Sequence, residues 1–251
     1  MEKWSTLRSE YDFHRYLDLP SIYLIASTPR SGSHYLAHLL ISSQLLGAPL
    51  EYFHSQELIA WKKYFNCDDQ CELFRKLFFM RTSPNGWFGI KSHWSQYEPI
   101  LKNKNLVNLL SIKKYIYINR NDLLAQAISF EIASQTNSWI SFQNKTCEPL
   151  YQFDSIYNRI LDLKSEKHNW DKFFIKNEIS PIYICYEDLL DKPQLSVKTI
   201  FKEFNLPHTG INLDFAHMPK KQITSINSDW KERFIGEAKS KRGIDHALFL
   251  Q

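Results

Sequence analysis

A forked cation, two serine hydroxyls and a glycine fall together in Thr28-Pro29-Arg30-Ser31-Gly32-Ser33-His34. A short apolar run, Ile22-Tyr23-Leu24-Ile25-Ala26, precedes them and reads as a buried strand. A helical pattern follows, with Tyr35, Leu36, Leu39 and Leu40 on one face and Gly47 as its expected stop. A helix N-terminus presents unbonded N–H groups and the positive end of the helix dipole, so this turn is a natural seat for a phosphate or sulfate. Gly32 lets the main chain approach such an anion, Ser31 and Ser33 add donors, and Arg30 adds a planar fork suited to oxyanions. The nucleotide-kinase loop G-x-x-x-x-G-K-[ST] is not matched, because its Gly-Lys-Ser/Thr element is missing.

A second candidate anion site follows the strand-like Tyr115-Ile116-Tyr117-Ile118. Arg120 stands at the strand end, and Ser129 lies about two and a half helical turns further on. The two can grip one anion only if that helix lies across the sheet edge. Gln126 is one turn before Ser129, near the same face. Asp122 either holds Arg120 or caps the helix. Read alone, the segment is a surface arginine beside an N-capping aspartate.

The elements that must position these residues alternate along the chain. Phe88–Lys91 is a further short strand candidate, and residues 55–80 carry aromatic-rich helical patterns. A helix is predicted from about Asp122 to Ser134 and a long amphipathic one over roughly 150–178. Ile182–Cys185 reads as another strand, and Tyr186-Glu187-Asp188-Leu189 opens the next helical region. This order predicts an α/β fold, a central parallel sheet with helices on both faces. Ligands in such sheets bind beyond the C-terminal strand ends, here 27–34, 91–94, 119–122 and 185–188. A single domain over 1–251 is expected, with 1–20 as a partly ordered leader.

The 251 residues carry a net charge of +4, too mild and scattered to argue for nucleic acid. Cys67 and Cys71 lack a second Cys or His pair at zinc-finger spacing, so free thiols are expected and no metal site. Neither a signal-like leader nor an apolar run of membrane-spanning length is visible, so a cytoplasmic protein is expected.

The segment PRSGS after the first strand, and R-x-D-x-x-x-Q-A-x-S after a later one, resemble the sulfotransferases that use 3′-phosphoadenosine-5′-phosphosulfate (PAPS). The closer resemblance is to the bacterial trehalose 2-sulfotransferase-like family. Ala26–Ser33, Gly47–Phe53, Phe88–Lys91, Arg120–Ser129, Ser134–Trp139, Tyr186–Leu189 and Trp230–Phe234 match in order, from about 22 to 234. The resemblance implies the P-loop-like sulfotransferase fold. It also implies that Arg30, Ser31, Gly32 and Ser33 bind the 5′-phosphosulfate, and Arg120 and Ser129 the 3′-phosphate. Trp139 and the Trp230–Arg233 segment, Arg233 included, would contact the nucleotide or close over it. His34 departs from the pattern, since the family more often has a small hydroxyl residue there. The resemblance carries an expectation of homodimers, although the residues themselves do not reveal oligomeric state.

Sulfuryl transfer needs an acceptor oxygen in line with the leaving phosphate and donors for the charge that develops. Arg30 and the loop N–H groups suit that role, and a leaving group already this good needs no metal. The acceptor hydroxyl must lose its proton, and a carboxylate near the loop is the natural base. Glu51 in Gly47–Phe53 is the first choice, because the family's base falls in this motif. His54 and His93 are rivals, since imidazole titrates near neutral pH. Lys91 is a further candidate donor to the sulfate. Trp61, Tyr64, Phe65, Trp87, Trp94 and Tyr97 are candidates to stack on a sugar acceptor, most of them expected in the core. Two other readings compete. One is a kinase-like enzyme turning over Mg-ATP; the other is a non-catalytic nucleotide-binding protein on the same fold.

Overall fold

The structure is a computed structural model and describes residues 6–13, 15–139, 146–207, 213–215 and 225–242. In chain order the elements are β1 (Ser21–Ser27), α1 (Ser33–Ser42), α2 (Ser55–Phe65), α3 (Gln70–Arg81), β2 (Trp87–His93), α4 (Trp94–Tyr97) and α5 (Lys104–Leu110). They continue with β3 (Lys114–Asn119), α6 (Leu123–Thr136), α7 (Phe153–Lys176), β4 (Ile182–Cys185), α8 (Tyr186–Asp191), α9 (Pro193–Glu203) and α10 (Ser225–Arg242). The four strands form one sheet in the order β2-β1-β3-β4, every pair parallel.

Alternation along β1 explains the two covered faces. Ile22, Leu24 and Ala26 join Phe88 and Ile90 in a cluster with Phe74 and Leu77 of α3 and Trp170 and Phe174 of α7. Tyr23 and Ile25 join Ile116 and Ile118 in a second cluster with Leu36, Leu39 and Leu40 of α1 and Val197 and Ile200 of α9. A third cluster, away from the sheet, packs α6, the first half of α7 and α10. Helix α7, about 36 Å long at 1.5 Å per residue, therefore serves two clusters. The connections from β1 and β3 leave toward opposite sheet edges, so their C-terminal ends frame the crevice in which such sheets bind ligands.

One sequence expectation changes. Helix α1 ends at Ser42, where Ser42 Oγ bonds back to Leu39 O at 2.9 Å, well before Gly47. Gly47 instead takes φ +63° where a Cβ would meet the carbonyls of Trp87 and Arg81 at 2.7 and 2.8 Å, so the chain can turn tightly onto β2. There Leu50 bridges Ile90 in parallel and Lys91 N donates to Leu50 O at 2.9 Å.

The expected leader is anchored in its described part; residues 1–5 and His14 lie outside the described residues. The fully buried Arg81 donates to Thr6 O (3.0 Å) and Arg8 O (3.1 Å) and pairs with Asp12 at 2.9 Å. Phe13 N also donates to Met80 O at 2.7 Å. A buried guanidinium requires this many partners, and main-chain carbonyls leave no trace in a sequence pattern.

Trp170 ties the long helix to the end of β1. Its Nε1 donates to Ser27 O at 3.1 Å, and its ring stacks between Tyr97 and Phe174. Trp170→Ala is expected to cost about 3–5 kcal/mol of stability. Trp170→Phe, which mainly strands the Ser27 carbonyl, is expected to cost about 1–3 kcal/mol. Denaturant titration of both variants checks this, and a Trp170→Phe protein as stable as the native one would deny the contact its role.

Candidate active site

The loop after β1 is built from main-chain conformations that few residues accept. Arg30 has φ +62° and Gly32 φ +86°, the latter as the N-cap of α1. A Cβ on Gly32 would lie 2.4 Å from the Tyr186 ring, so glycine is required by space as well as by φ. Gln126 of α6 holds the loop, donating from Nε2 to Thr28 Oγ1 (2.8 Å) and Pro29 O (2.6 Å). The sequence placed Gln126 near the second anion site; its role in bracing the first was not readable.

The two predicted anion sites are contiguous. Arg30 Nε donates to Ser129 Oγ at 3.0 Å, and Arg120 Nη1 donates to Arg30 O at 3.4 Å. Burial and the nearby Arg120 charge draw Arg30 down to about 10. Arg120 is 7% exposed, stacks over the Tyr186 ring at 4.7 Å and forms no ion pair with a carboxylate among the described residues. Its Nε and Ser31 Oγ are buried without a hydrogen-bond partner. Ser33 is buried in the first turn of α1. Asp122 caps α6 through Ala125 N (3.0 Å) and pairs with Lys231 of α10 at 2.6 Å, which settles the Asp122 alternatives in favour of the cap. The Trp139 carbonyl accepts from Arg30, while the Trp139 ring lies near Phe130. Arg233 stacks on Tyr151 at 4.0 Å, and Lys231 of the same segment reaches the β3 end through Asp122.

A second cluster surrounds Glu51, whose side chain is 14% exposed. Oε1 is paired with Lys91 Nζ and lies 3.3 Å from His34 Nε2 and 3.8 Å from His93 Nε2. Oε2 accepts from Gln96 Nε2 at 3.0 Å. Burial alone would push the Glu51 carboxyl up; the Lys91 charge and the His34 hydrogen bond outweigh it and hold the carboxyl well below its ordinary value. Burial lowers Lys91, with Glu51 opposing. His34 and His38 are both drawn to about 4, by burial first and then by the Lys91 charge. His93 is lowered by burial too, and its Nδ1 lies 3.0 Å from Ser27 Oγ. His54 contributes its main chain, N–H to Glu51 O at 3.0 Å.

Gln96 and His38 were missed by sequence reasoning, as was Glu166, which accepts from Trp94 N at 2.8 Å and so fixes α4 beside the site. Only the i, i+4 spacing of His34 and His38 on a helix was a readable signal. Among the candidate aromatics, Trp61 and Tyr97 are buried in the core, Trp87 packs on Phe204, and Tyr64 is exposed. All four cysteines are free, and no group of three or more His, Cys, Asp or Glu able to hold a metal occurs among the described residues. No described helix is long and apolar enough to cross a membrane.

These half-buried histidines contribute to the acid sensitivity of the fold. Between the ordinary imidazole value of 6.5 and about 4 the unfolded chain binds protons that folded His34 and His38 refuse. Stability is therefore expected to fall as pH is lowered through that window. The contribution of Glu51, whose folded value is depressed, is lost only further down, below its ordinary 4.5. Denaturation midpoints at about pH 7 and pH 5 are expected to differ less in His38→Leu than in the native chain; equal differences would remove His38 from the account.

Comparison with known proteins agrees with this geometry. The Stf0 sulphotransferase family model matches residues 22–237. A trehalose 2-sulfotransferase of Mycobacterium tuberculosis is 23% identical over 256 residues, covering 86% of this chain and 95% of its own. Its counterpart from Mycolicibacterium smegmatis is 25% identical over 266 residues, covering 88% and 97%. A solved sulfotransferase from Alicyclobacillus acidocaldarius superposes with a TM-score of 0.50 at 10% identity, covering 94% of this chain and all of its own, a likeness of fold. With a family match over most of its length, residues 22–237, the chain belongs to the Stf0 sulphotransferase family.

Proposed function

We propose that this sulfotransferase takes the sulfuryl group from PAPS and delivers it to a hydroxyl of a carbohydrate or glycolipid. The observation that carries the reading is the buried Arg120 guanidinium, which forms no ion pair among the described residues and keeps one N–H unbonded, together with the equally unbonded Ser31 hydroxyl. Desolvated donors left in this state favour an oxyanion from outside the chain. Because Arg30 joins the two seats, one ligand with a phosphate at each end of a nucleoside fits them better than two separate anions.

In this reading Arg30, Ser31, Gly32 and Ser33 hold the 5′-phosphosulfate, and Arg120 with Ser129 holds the 3′-phosphate. Trp139 and Arg233 flank the nucleotide side. The acceptor oxygen attacks sulfur in line, the bond from sulfur to the bridging phosphate oxygen breaks, and adenosine 3′,5′-bisphosphate leaves. Glu51 takes the acceptor proton. A carboxylate of low basicity suffices, because the hydroxyl becomes acidic as its oxygen bonds to sulfur. The chain's own donors meet the developing charge, Arg30 and the N–H groups of the first turn of α1. The carbohydrate acceptor rests on the mycobacterial relatives, which are trehalose 2-sulfotransferases. A homodimer and a cytoplasmic location complete the proposal.

Transfer of labelled sulfate from PAPS to a panel of glycans, trehalose included, tests the reaction; no transfer, or turnover of Mg-ATP instead, would overturn it. Arg120→Ala is expected to weaken binding of the bisphosphate product by at least about 30-fold in calorimetry, with little change in thermal unfolding of the free protein. Unchanged binding would remove the second seat. Glu51→Gln is expected to keep that binding and lose transfer by roughly 10²-fold or more.

A further inference from the structure

We propose that His34 is a positioning residue for Glu51: as a neutral imidazole donating from Nε2 to Oε1, it turns Oε2 toward the acceptor hydroxyl. The inference rests on Glu51 being the base. The geometry is a matter of counting donors. A carboxylate has about four lone-pair positions. Lys91 and His34 occupy the two on Oε1, and Gln96 occupies one on Oε2. The position left among the described contacts is on Oε2, so that atom receives the acceptor's proton.

The roles of the two Oε1 partners differ. Lys91 supplies the charge that keeps the carboxyl ionised in a buried site. A second full charge there would weaken the base further. A neutral N–H fixes the rotamer without that effect. Lys91 of β2 and His38 on the next turn of α1 disfavour a charge on the imidazole, while Glu51 opposes them through its hydrogen bond and its charge. His93, across Oε1, is itself held below its ordinary value, with Glu166 opposing.

The placement also couples donor to base. His34 is the second residue of α1, so its main chain belongs to the turn that would hold the phosphosulfate while its ring holds Glu51. A small hydroxyl residue at this position would lack the reach of an imidazole.

Long-range proton–nitrogen NMR of the free protein tests the proposal, with His34 assigned by the signals that vanish in His34→Gln. At pH 7 the expected signature is a neutral imidazole protonated on Nε2. Carbon NMR of the Glu51 carboxyl at one mildly acid pH supplies the second readout. His34→Leu is expected to show a larger protonated fraction than the native chain, and His34→Gln, whose amide keeps a donor at similar reach, to restore it. Should His34→Leu not fold, His34→Asn, too short to reach, carries the same comparison. Protonation on Nδ1, an imidazolium at pH 7, or equal Glu51 protonation in all variants would overturn the inference. Neither readout needs a sulfate donor or acceptor, so this failure is distinct from a failure of sulfuryl transfer.

Discussion

The buried pair of Lys91 and Glu51 constrains everything around it. Lys91 is fully buried at the C-terminal end of β2, where the cost of desolvating an ammonium is several kcal/mol unless a carboxylate meets it. The strand's alternation sends Ile90 into the apolar cluster under α3 and leaves Lys91 on the α1 face, so a slip of one residue in register would exchange them. The register is fixed by seven Cα partners along β1, from Ser21↔Trp87 to Ser27↔His93. It is reinforced where Leu50 lies beside Ile90 and brings Glu51 level with Lys91. The ion pair and the sheet edge therefore determine each other.

From that pair the site extends in two directions along the sheet. Toward β1, Arg30 lowers Lys91 through its charge, so the two cations belong to one field at the strand ends. Toward α4, Gln96 and Glu166 anchor the segment after β2, and Glu166 comes from the same α7 that holds Ser27 through Trp170. A single helix thus steadies both the end of β1 and the far wall of the site. Preorganisation of this kind lets donors act on developing charge without moving at the moment of reaction.

What the sequence disclosed follows from the range of each interaction. β1, β3 and β4 were readable because their apolar runs are local and bounded by polar turns, and Gly32 marked the loop because its φ is a local demand. Arg30, Arg120 and Ser129 were recognisable as oxyanion groups from residue type alone. Their junction through Arg30 was not, because Arg30 and Ser129 are 99 residues apart. Arg81 shows the same limit: its partners are main-chain carbonyls of residues 6 and 8, which no residue type announces. Helix α1 was drawn too long because Leu45 and Leu46 continue its apolar pattern; the Ser42 and Ser43 hydroxyls bond back onto the last turn instead.

The arrangement of the two arginines carries a cost in folding. Arg30 and Arg120 face the same crevice, each desolvated, and Arg120 keeps an unbonded Nε. Like charges held this close oppose folding, and a buried donor without a partner forfeits about 1–3 kcal/mol. The apolar clusters on both sheet faces and the Tyr186 ring, packed against Gly32 and under Arg120, hold the loop in place against that repulsion. Sites of this kind give up stability for a preformed field. The anion proposed for this crevice would remove both penalties at once, so the strength of its binding would include energy stored when the chain folded.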